Sequence, residues 1–181
     1  MYFPQLLILS FFLISCQDTY QSTISNNKIN NHTSNFFIKA NKQIIKNEEL
    51  KIDSLLSSSN QTFIKDSTGI WINIEKENKK ENKVRPLEGD IVKILYDCVI
   101  LEDINNLEYE HMVDTIMFQI GYSKQMRGLN YAIKLLEIGD KAKIIIPSYL
   151  GFGLSGYKQS VPPYSTLLLN IKLLNIEKWK K

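Results

Sequence analysis

The spacing of apolar residues changes along this chain and divides it into a helical part and a strand-rich part. Within residues 37–56, Ile38, Ile45, Ile52 and Leu56 recur at helical intervals, with Lys and Glu between them. This periodicity predicts an amphipathic helix with one apolar face.

Shorter apolar segments follow, and several of them alternate with polar residues as strands do. The predicted strands cover residues 62–66, 70–74, 91–101, 109–120, 141–147 and 166–178, and one short helix covers 126–136. Ser67-Thr68-Gly69 predicts a hairpin turn between the first two strands. The order predicts an α+β fold in which a curved antiparallel sheet wraps around one short helix, preceded by an extra helix and hairpin.

The N-terminus has the pattern of an export signal. Residues 6–14 are apolar but too few to span a bilayer, which is typical of a signal peptide, here residues 1–15. Leu13-Ile14-Ser15-Cys16 resembles a bacterial lipobox, so Cys16 is expected to carry lipid; an ordinary cleaved signal is the alternative. Residues 16–36 are polar and predict a flexible tether. We therefore expect a lipid-anchored protein of the cell envelope, on the periplasmic side of a membrane.

Charge and motif content narrow the chemistry. The net charge is only +3, with basic and acidic residues interspersed, so nucleic acid is not an expected partner. Neither His32 nor His111 has a metal-ligand partner at useful spacing, so no metal and no cofactor are expected. Residues 151–156 fit G-x-G-x-x-G, but Pro162 and Pro163 follow closely where a dinucleotide site needs a helix. With Cys16 lipidated, Cys98 has no disulfide partner and reads as a buried small hydrophobe.

Three motifs stand in order near the C-terminus. They are Met126-Arg127-Gly128, the segment 144–153 with its Ile-Ile-Ile-Pro and Gly-Phe-Gly, and Val161-Pro162-Pro163 before an apolar strand. Together they resemble the C-terminal half of FKBP-type peptidyl-prolyl cis-trans isomerases, and the likeness extends over residues 86–177. It implies an isomerase domain at 86–181, with residues 37–85 as an N-terminal helix and strand extension.

The resemblance also implies a set of site residues. The catalytic candidates are Tyr96, Glu110 and Phe152. The candidates for substrate binding are Tyr109, Ile116, Phe118, Gln125, Met126, Leu129, Tyr157, Val161 and Leu169. Taken singly, residues such as Tyr96, Leu129 and Leu169 are more often ordinary core than pocket residues.

Several of these positions depart from the family's pattern. Phe152 stands where the family has a tyrosine, Leu129 where it has a tryptophan, Gln125 where it has an apolar residue, and Glu110 where it has Asp. A non-catalytic binding or chaperone module of an envelope or motility machine is therefore the alternative to an active isomerase.

The whole layout resembles lipoprotein isomerases of Bacteroidetes, including the gliding-motility-associated group, which also carry a Gly-Ile/Phe-Trp strand; here it is Gly69-Ile70-Trp71. The resemblance implies a monomeric isomerase whose partners are proline-containing segments of exported proteins.

Overall fold

The computed structural model describes residues 31–76, 84–103 and 114–179. From Ile38 onward these residues form one compact unit. The elements in chain order are helix α1 (Asn31–Ser57), strands β1 (Ile64–Lys65), β2 (Trp71–Glu75), β3 (Ile91–Ile100) and β4 (Asp114–Gln119), helix α2 (Arg127–Ile133), and strands β5 (Lys141–Ile146) and β6 (Leu167–Glu177).

All six strands belong to one antiparallel sheet with the order β1-β2-β5-β6-β3-β4. The long central pair is β3 and β6, whose register shifts by a bulge between Lys93 and Ile94. A bulge increases the local twist and bends the strand. Because β2 pairs along its whole length with β5, the hairpin before residue 86 shares this sheet with the C-terminal strands.

One face of the sheet, the front face, packs against α2. The cluster on this face is aliphatic almost throughout, and its members come from α2 and from five strands or their ends. Its fully buried members include Ile94, Leu129, Ile133, Ile144 and Leu167. Each Å² of apolar surface removed from water stabilises the fold by about 25 cal/mol, so this cluster is the main source of stability.

The opposite face, the back face, is covered by α1 and is only partly apolar. A row of paired residues crosses the four central strands beneath the helix: Trp71, Ile145, Leu168 and Val99. Ile52 of α1 is buried against this row. The next row on the same face is polar and consists of Asn73, Lys143, Asn170 and Asp97.

Polar side chains also bind α1 to the sheet, and others stabilise the C-terminal end of the helix. The indole Nε1 of Trp71 donates to Asp53 at 3.0 Å, and the Lys65 ammonium lies 3.0 Å from the Glu49 carboxylate. At the C-terminus of the helix the Ser57 hydroxyl donates to the carbonyl of Ser54 at 2.7 Å. Such side-chain bonds satisfy carbonyls that the helix itself leaves without partners.

The structure confirms the predicted α+β class, and the strand limits agree with prediction to within about two residues where both ends are described. Helix α1 begins at Asn31 rather than at residue 37, so the last residues assigned to the tether are helical. Extending a formed helix adds one hydrogen bond for each residue fixed, which explains the earlier start. The first half of the predicted strand 109–120 lies outside the described residues. Among the described residues, no helix combines the length and hydrophobicity that a bilayer span requires.

Candidate functional site

Strand pairing brings four of the predicted site residues to the front face. Ile116 and Phe118 of β4 stand opposite Ile94 and Val92 of β3. Tyr96 lies two residues beyond Ile94, and residues two apart on a strand share a face. Leu169 of β6 stands opposite Cys98, which again is two residues beyond Tyr96. The alternation of β3 therefore determines that these side chains meet.

Helix α2 supplies the next part of the site through a close approach to β5. A Cβ atom on Gly128 would lie 2.5 Å from Cγ2 of Ile146, so only glycine allows the helix to sit at this distance. Leu129 is thereby pressed into the core with 1% of its surface exposed. Met126, just before the helix, stays half-buried beside it.

Asn130 fixes the segment that leads into α2. Its Nδ2 donates to the carbonyl of Met126 at 3.1 Å, and its Oδ1 accepts from the N–H of Gly121 at 3.0 Å. Among the described residues, no hydrogen bond from the N–H of Met126 is found.

The loop between β5 and β6 contributes the third part. The rings of Phe152 and Tyr157 stack with centroids 4.8 Å apart. Tyr157 and Val161 exchange two backbone hydrogen bonds, of 2.8 and 3.1 Å, which close a tight turn. Gly156 has φ +62°, and a Cβ there would meet the carbonyl of Val161, so this turn requires glycine.

These parts form a single cluster with a floor and a rim. Eight predicted site residues belong to the front-face cluster: Tyr96, Ile116, Phe118, Met126, Leu129, Phe152, Val161 and Leu169. Phe118, Leu129 and Leu169 are buried and form its floor, whereas the other five are half-buried and present apolar surface. Leu129 and Leu169 are thus core residues of the same cluster as the five half-buried candidates.

The hydroxyl of Tyr96 is a hydrogen-bond donor that stays protonated. Burial raises the pKa of the Tyr96 hydroxyl, and the neighbouring negative charge of Asp114 raises it further. Tyr96 therefore remains a neutral O–H donor at physiological pH. Burial likewise raises the pKa of the Cys98 thiol to about 11, with a smaller effect from Asp97, so Cys98 is a poor nucleophile.

The remaining predicted residues are placed less completely. Tyr109, Glu110 and Cys16 lie outside the described residues. Gln125 is half-buried next to Met126, and its backbone N–H donates to Ser123 at 2.8 Å. Residues 31–76, 84–103 and 114–179 contain no group of three side chains suited to hold a metal ion.

Sequence reasoning missed one acidic residue of the site. Asp114 begins β4 directly opposite Tyr96, and its charge acts on that hydroxyl. In the sequence it lies inside the predicted strand 109–120 and carries no motif of its own. The available signal for this site residue was an acidic side chain within an apolar strand that pairs with the strand of Tyr96.

Comparisons with known proteins agree with this geometry. Human peptidyl-prolyl cis-trans isomerase FKBP14 is 34% identical over 91 residues, covering 49% of this chain and 43% of FKBP14. FK506-binding protein 1 of Eremothecium gossypii is 28% identical over 108 residues, 58% of this chain and 92% of that protein. The chain thus spans less than half of FKBP14 but nearly all of the shorter relative.

Two solved structures establish the fold. FkpA from Escherichia coli superposes with a TM-score of 0.55 at 19% identity, over 86% of this chain and 75% of FkpA. A peptidyl-prolyl cis-trans isomerase from Pseudomonas syringae gives a TM-score of 0.58 at 15% identity, over 76% of this chain and 96% of that one. These likenesses confirm the predicted sheet architecture.

The family profile for FKBP-type peptidyl-prolyl cis-trans isomerases matches residues 82–174, which include β3, β4, α2, β5, the long loop and most of β6. The matched stretch supplies most of the front-face cluster, with Ile70 and Ile72 added from the strand region before it. The chain therefore belongs to the FKBP-type peptidyl-prolyl cis-trans isomerase family.

Proposed function

We propose that this protein catalyses cis–trans isomerisation of X-Pro peptide bonds in exported proteins. The observation that carries the proposal is the front-face cluster, in which five half-buried apolar or aromatic residues pack with the buried floor of Phe118, Leu129 and Leu169. A pyrrolidine ring is small and apolar, and such a surface would bind it by burying both partners.

The chemistry required is modest. Rotation about a peptide bond has a barrier of about 18–20 kcal/mol, and free X-Pro bonds isomerise in tens to hundreds of seconds. The twisted transition state loses amide resonance and is less polar at its carbonyl than the planar amide. An apolar, water-poor surface favours that state over the planar one, while the Tyr96 hydroxyl and the Met126 N–H orient the flanking peptide.

The test is a protease-coupled assay on an X-Pro peptide, using the protein with Cys16→Ala so that lipid does not interfere. A rate no faster than buffer alone would refute the proposal. Tyr96→Phe should lower kcat/KM, because it removes the hydroxyl donor. Tyr122→Phe is the matched control: Tyr122 is 74% exposed and lies outside the site.

Phe152→Tyr tests the site from the opposite direction. It would restore the hydroxyl that the family's pattern has at this position, and one hydrogen bond contributes roughly 0.5–1.5 kcal/mol. That range corresponds to a rise in kcat/KM of about two- to tenfold. An unchanged or lower rate would argue that Phe152 does not contact the reacting peptide.

A second candidate is a non-catalytic binding module of the same fold. The observation that favours it is the combination of Phe152, which offers no hydroxyl, with Leu129, whose side chain is 1% exposed and thus contacts a ligand little. This candidate predicts saturable binding of a proline-containing peptide, measured by calorimetry, without any acceleration of isomerisation.

We further propose that the protein works as a monomer anchored to the cell envelope through lipid on Cys16, as in the lipoprotein isomerases of Bacteroidetes and their gliding-motility-associated group. The support is the lipobox-like Leu13-Ile14-Ser15-Cys16 after an apolar segment. Metabolic labelling with palmitate should mark the wild-type protein and not Cys16→Ala. Equal labelling of both proteins would exclude this anchor.

A further inference from the structure

The loop between β5 and β6 depends on its two ends for its position. It runs from residue 147 to residue 166 and carries Phe152, Tyr157 and Val161 to the site. Its ends are neighbours, because Ile146 pairs with Leu167. A long segment between two fixed points has many conformations available, so whatever fixes those points limits where the site residues can lie.

We infer that Glu48 of α1 is a positioning residue for the isomerase site, because its single carboxylate binds both ends of this loop. Oε1 of Glu48 accepts hydrogen bonds from the N–H of Ser148 and from the hydroxyl of Thr166, both at 2.7 Å. Oε2 accepts from the hydroxyl of Ser148 at 2.8 Å. The effect on catalysis rests on the proposed isomerase function, whereas the effect on the loop does not.

All three bonds are short and have an ionised acceptor, which makes them stronger than bonds between neutral groups. Ser148 is 3% exposed, so its donors have little access to water as a substitute partner. Loss of the carboxylate would leave buried donors without an acceptor, which is costlier than the loss of an exposed bond.

Each end of the loop is joined by a hydrogen bond to a residue next to one of the site residues. Ser148 opens a turn in which its carbonyl accepts from the N–H of Gly151 at 3.0 Å, and Gly151 precedes Phe152. At the other end, the hydroxyl of Ser165 donates to the carbonyl of Pro162 at 2.8 Å, and Pro162 follows Val161. A shift of either end would therefore move the rim of the site.

Hydrogen bonds to Glu48, and not apolar packing, hold the end of the loop near Thr166 against α1. A cleft of about 450 Å³ opens between α1 and residues 164–166 beside the carboxylate. Close packing therefore does not hold Thr166 against the helix on that side. The adjacent Glu49 adds one contact to the same end of the loop, accepting from the hydroxyl of Tyr149 at 3.2 Å.

The experiment compares Glu48→Ala with Asp53→Ala in the protein carrying Cys16→Ala. Both changes replace a carboxylate on α1 with a good helix former, and both remove hydrogen bonds that join α1 to a distant segment of the chain. Asp53 bonds to Trp71 and not to the loop, so it is the matched control. The readouts are amide hydrogen exchange across residues 149–165, kcat/KM on an X-Pro peptide, and the melting temperature.

Glu48→Ala should speed exchange within the loop and lower kcat/KM about tenfold, since small misplacements far from the chemistry cost that much or more. Asp53→Ala should lower the melting temperature and leave both other readouts unchanged. Glu48→Gln should recover part of the loss, because its amide oxygen can still accept one of the three bonds. Thr166→Val, which removes a single donor, should give a smaller change in the same direction and should not add to that of Glu48→Ala.

Two outcomes would overturn the inference. One is loop exchange in Glu48→Ala that equals wild type. The other is equal changes in loop exchange for Glu48→Ala and Asp53→Ala, which would reduce Glu48 to a general stabiliser of α1. If the wild-type protein proves inactive, the proposed function fails alone, and loop exchange with Thr166→Val still decides whether Glu48 fixes the loop.

Discussion

The two faces of the sheet are closed in different ways. The front face is sealed by a large aliphatic cluster around α2, in which most members are fully buried. The back face is covered by α1 through five buried residues and a series of carboxylates that reach the sheet and the long loop. The family profile covers residues 82–174, which supply most of the front-face cluster, whereas α1 lies outside it.

The difference indicates a division of labour. A large apolar cluster stabilises the fold as a whole and has no preferred partner for each residue, because the hydrophobic effect is non-directional. Hydrogen bonds from carboxylates are directional and fix particular segments. We therefore expect changes on the front face to have the larger effect on global stability, and the loss of Glu48 from α1 to alter the position of the loop that it holds.

The sharpest test uses two neighbouring residues of β6 with the same exposure. Leu168 belongs to the back-face cluster and Leu169 to the front-face cluster, and both are 0% exposed. Leu-to-Ala changes in cores cost about 2–5 kcal/mol, and the cost falls when the surroundings can collapse into the cavity. Leu169→Ala should lie near the top of that range and Leu168→Ala near the bottom, because α1 can settle onto the sheet. Urea unfolding of both variants measures the difference, and equal losses would contradict the comparison.

A second test probes how tightly the front face is packed. Gly128→Ala places a Cβ 2.5 Å from Ile146, whose side chain is fully buried and has no room to retreat. Overpacking of this kind costs about 1–3 kcal/mol. Adding Ile146→Ala should make the double variant less unstable than the sum of the single changes, since the new methyl group enters the new cavity. Strict additivity in denaturant melts would show that the two residues do not compete for space.

The same contrast explains how much the sequence could predict. Strand limits followed from alternation, as in Trp71–Glu75, and from continuous apolar stretches such as Leu167-Leu168-Leu169, where both faces are covered. The motifs around Gly128 and Val161 predicted residues that the structure places in or against the front-face cluster. These signals are local or belong to the family, so they can be read without knowing the fold.

What could not be predicted depends on contacts between distant segments. The periodicity of α1 shows that it has an apolar face, but not which side of a sheet that face covers. Glu48 and Ser148 are 100 residues apart, and a glutamate among lysines on a helix looks like a solvated charge. Asp114 was missed as a site residue for a related reason, because its importance arises from pairing with Tyr96 across two strands.

A third, smaller effect concerns the anchor of α1 that is remote from the loop. Asp53→Ala should cost about 1–3 kcal/mol at most, because it leaves the indole N–H of the buried Trp71 without its acceptor. Asp53→Asn should be nearly neutral, since its amide oxygen can accept the same bond. Thermal melts of the two variants measure the contrast; equal destabilisation by both would point to the lost charge rather than the lost hydrogen bond.

The smallest effect at neutral pH is expected for Tyr149, whose 3.2 Å bond to Glu49 is long and only partly buried. Tyr149→Phe should cost roughly 0.5 kcal/mol at neutral pH.

At alkaline pH the contribution of Tyr149 to stability should change, because burial, together with the charge of Glu49, raises the pKa of the Tyr149 hydroxyl to about 12. An unfolded tyrosine loses its proton near pH 10, so between about pH 10 and 12 the folded state binds more protons than the unfolded state. The contribution of Tyr149 is therefore complete below pH 10 and declines as pH rises toward 12. Denaturant melts between pH 8 and 12 should show a steeper decline for wild type than for Tyr149→Phe. Parallel curves would mean that the hydroxyl ionises equally well in both states, and that this contact between α1 and the loop is weaker than its burial implies.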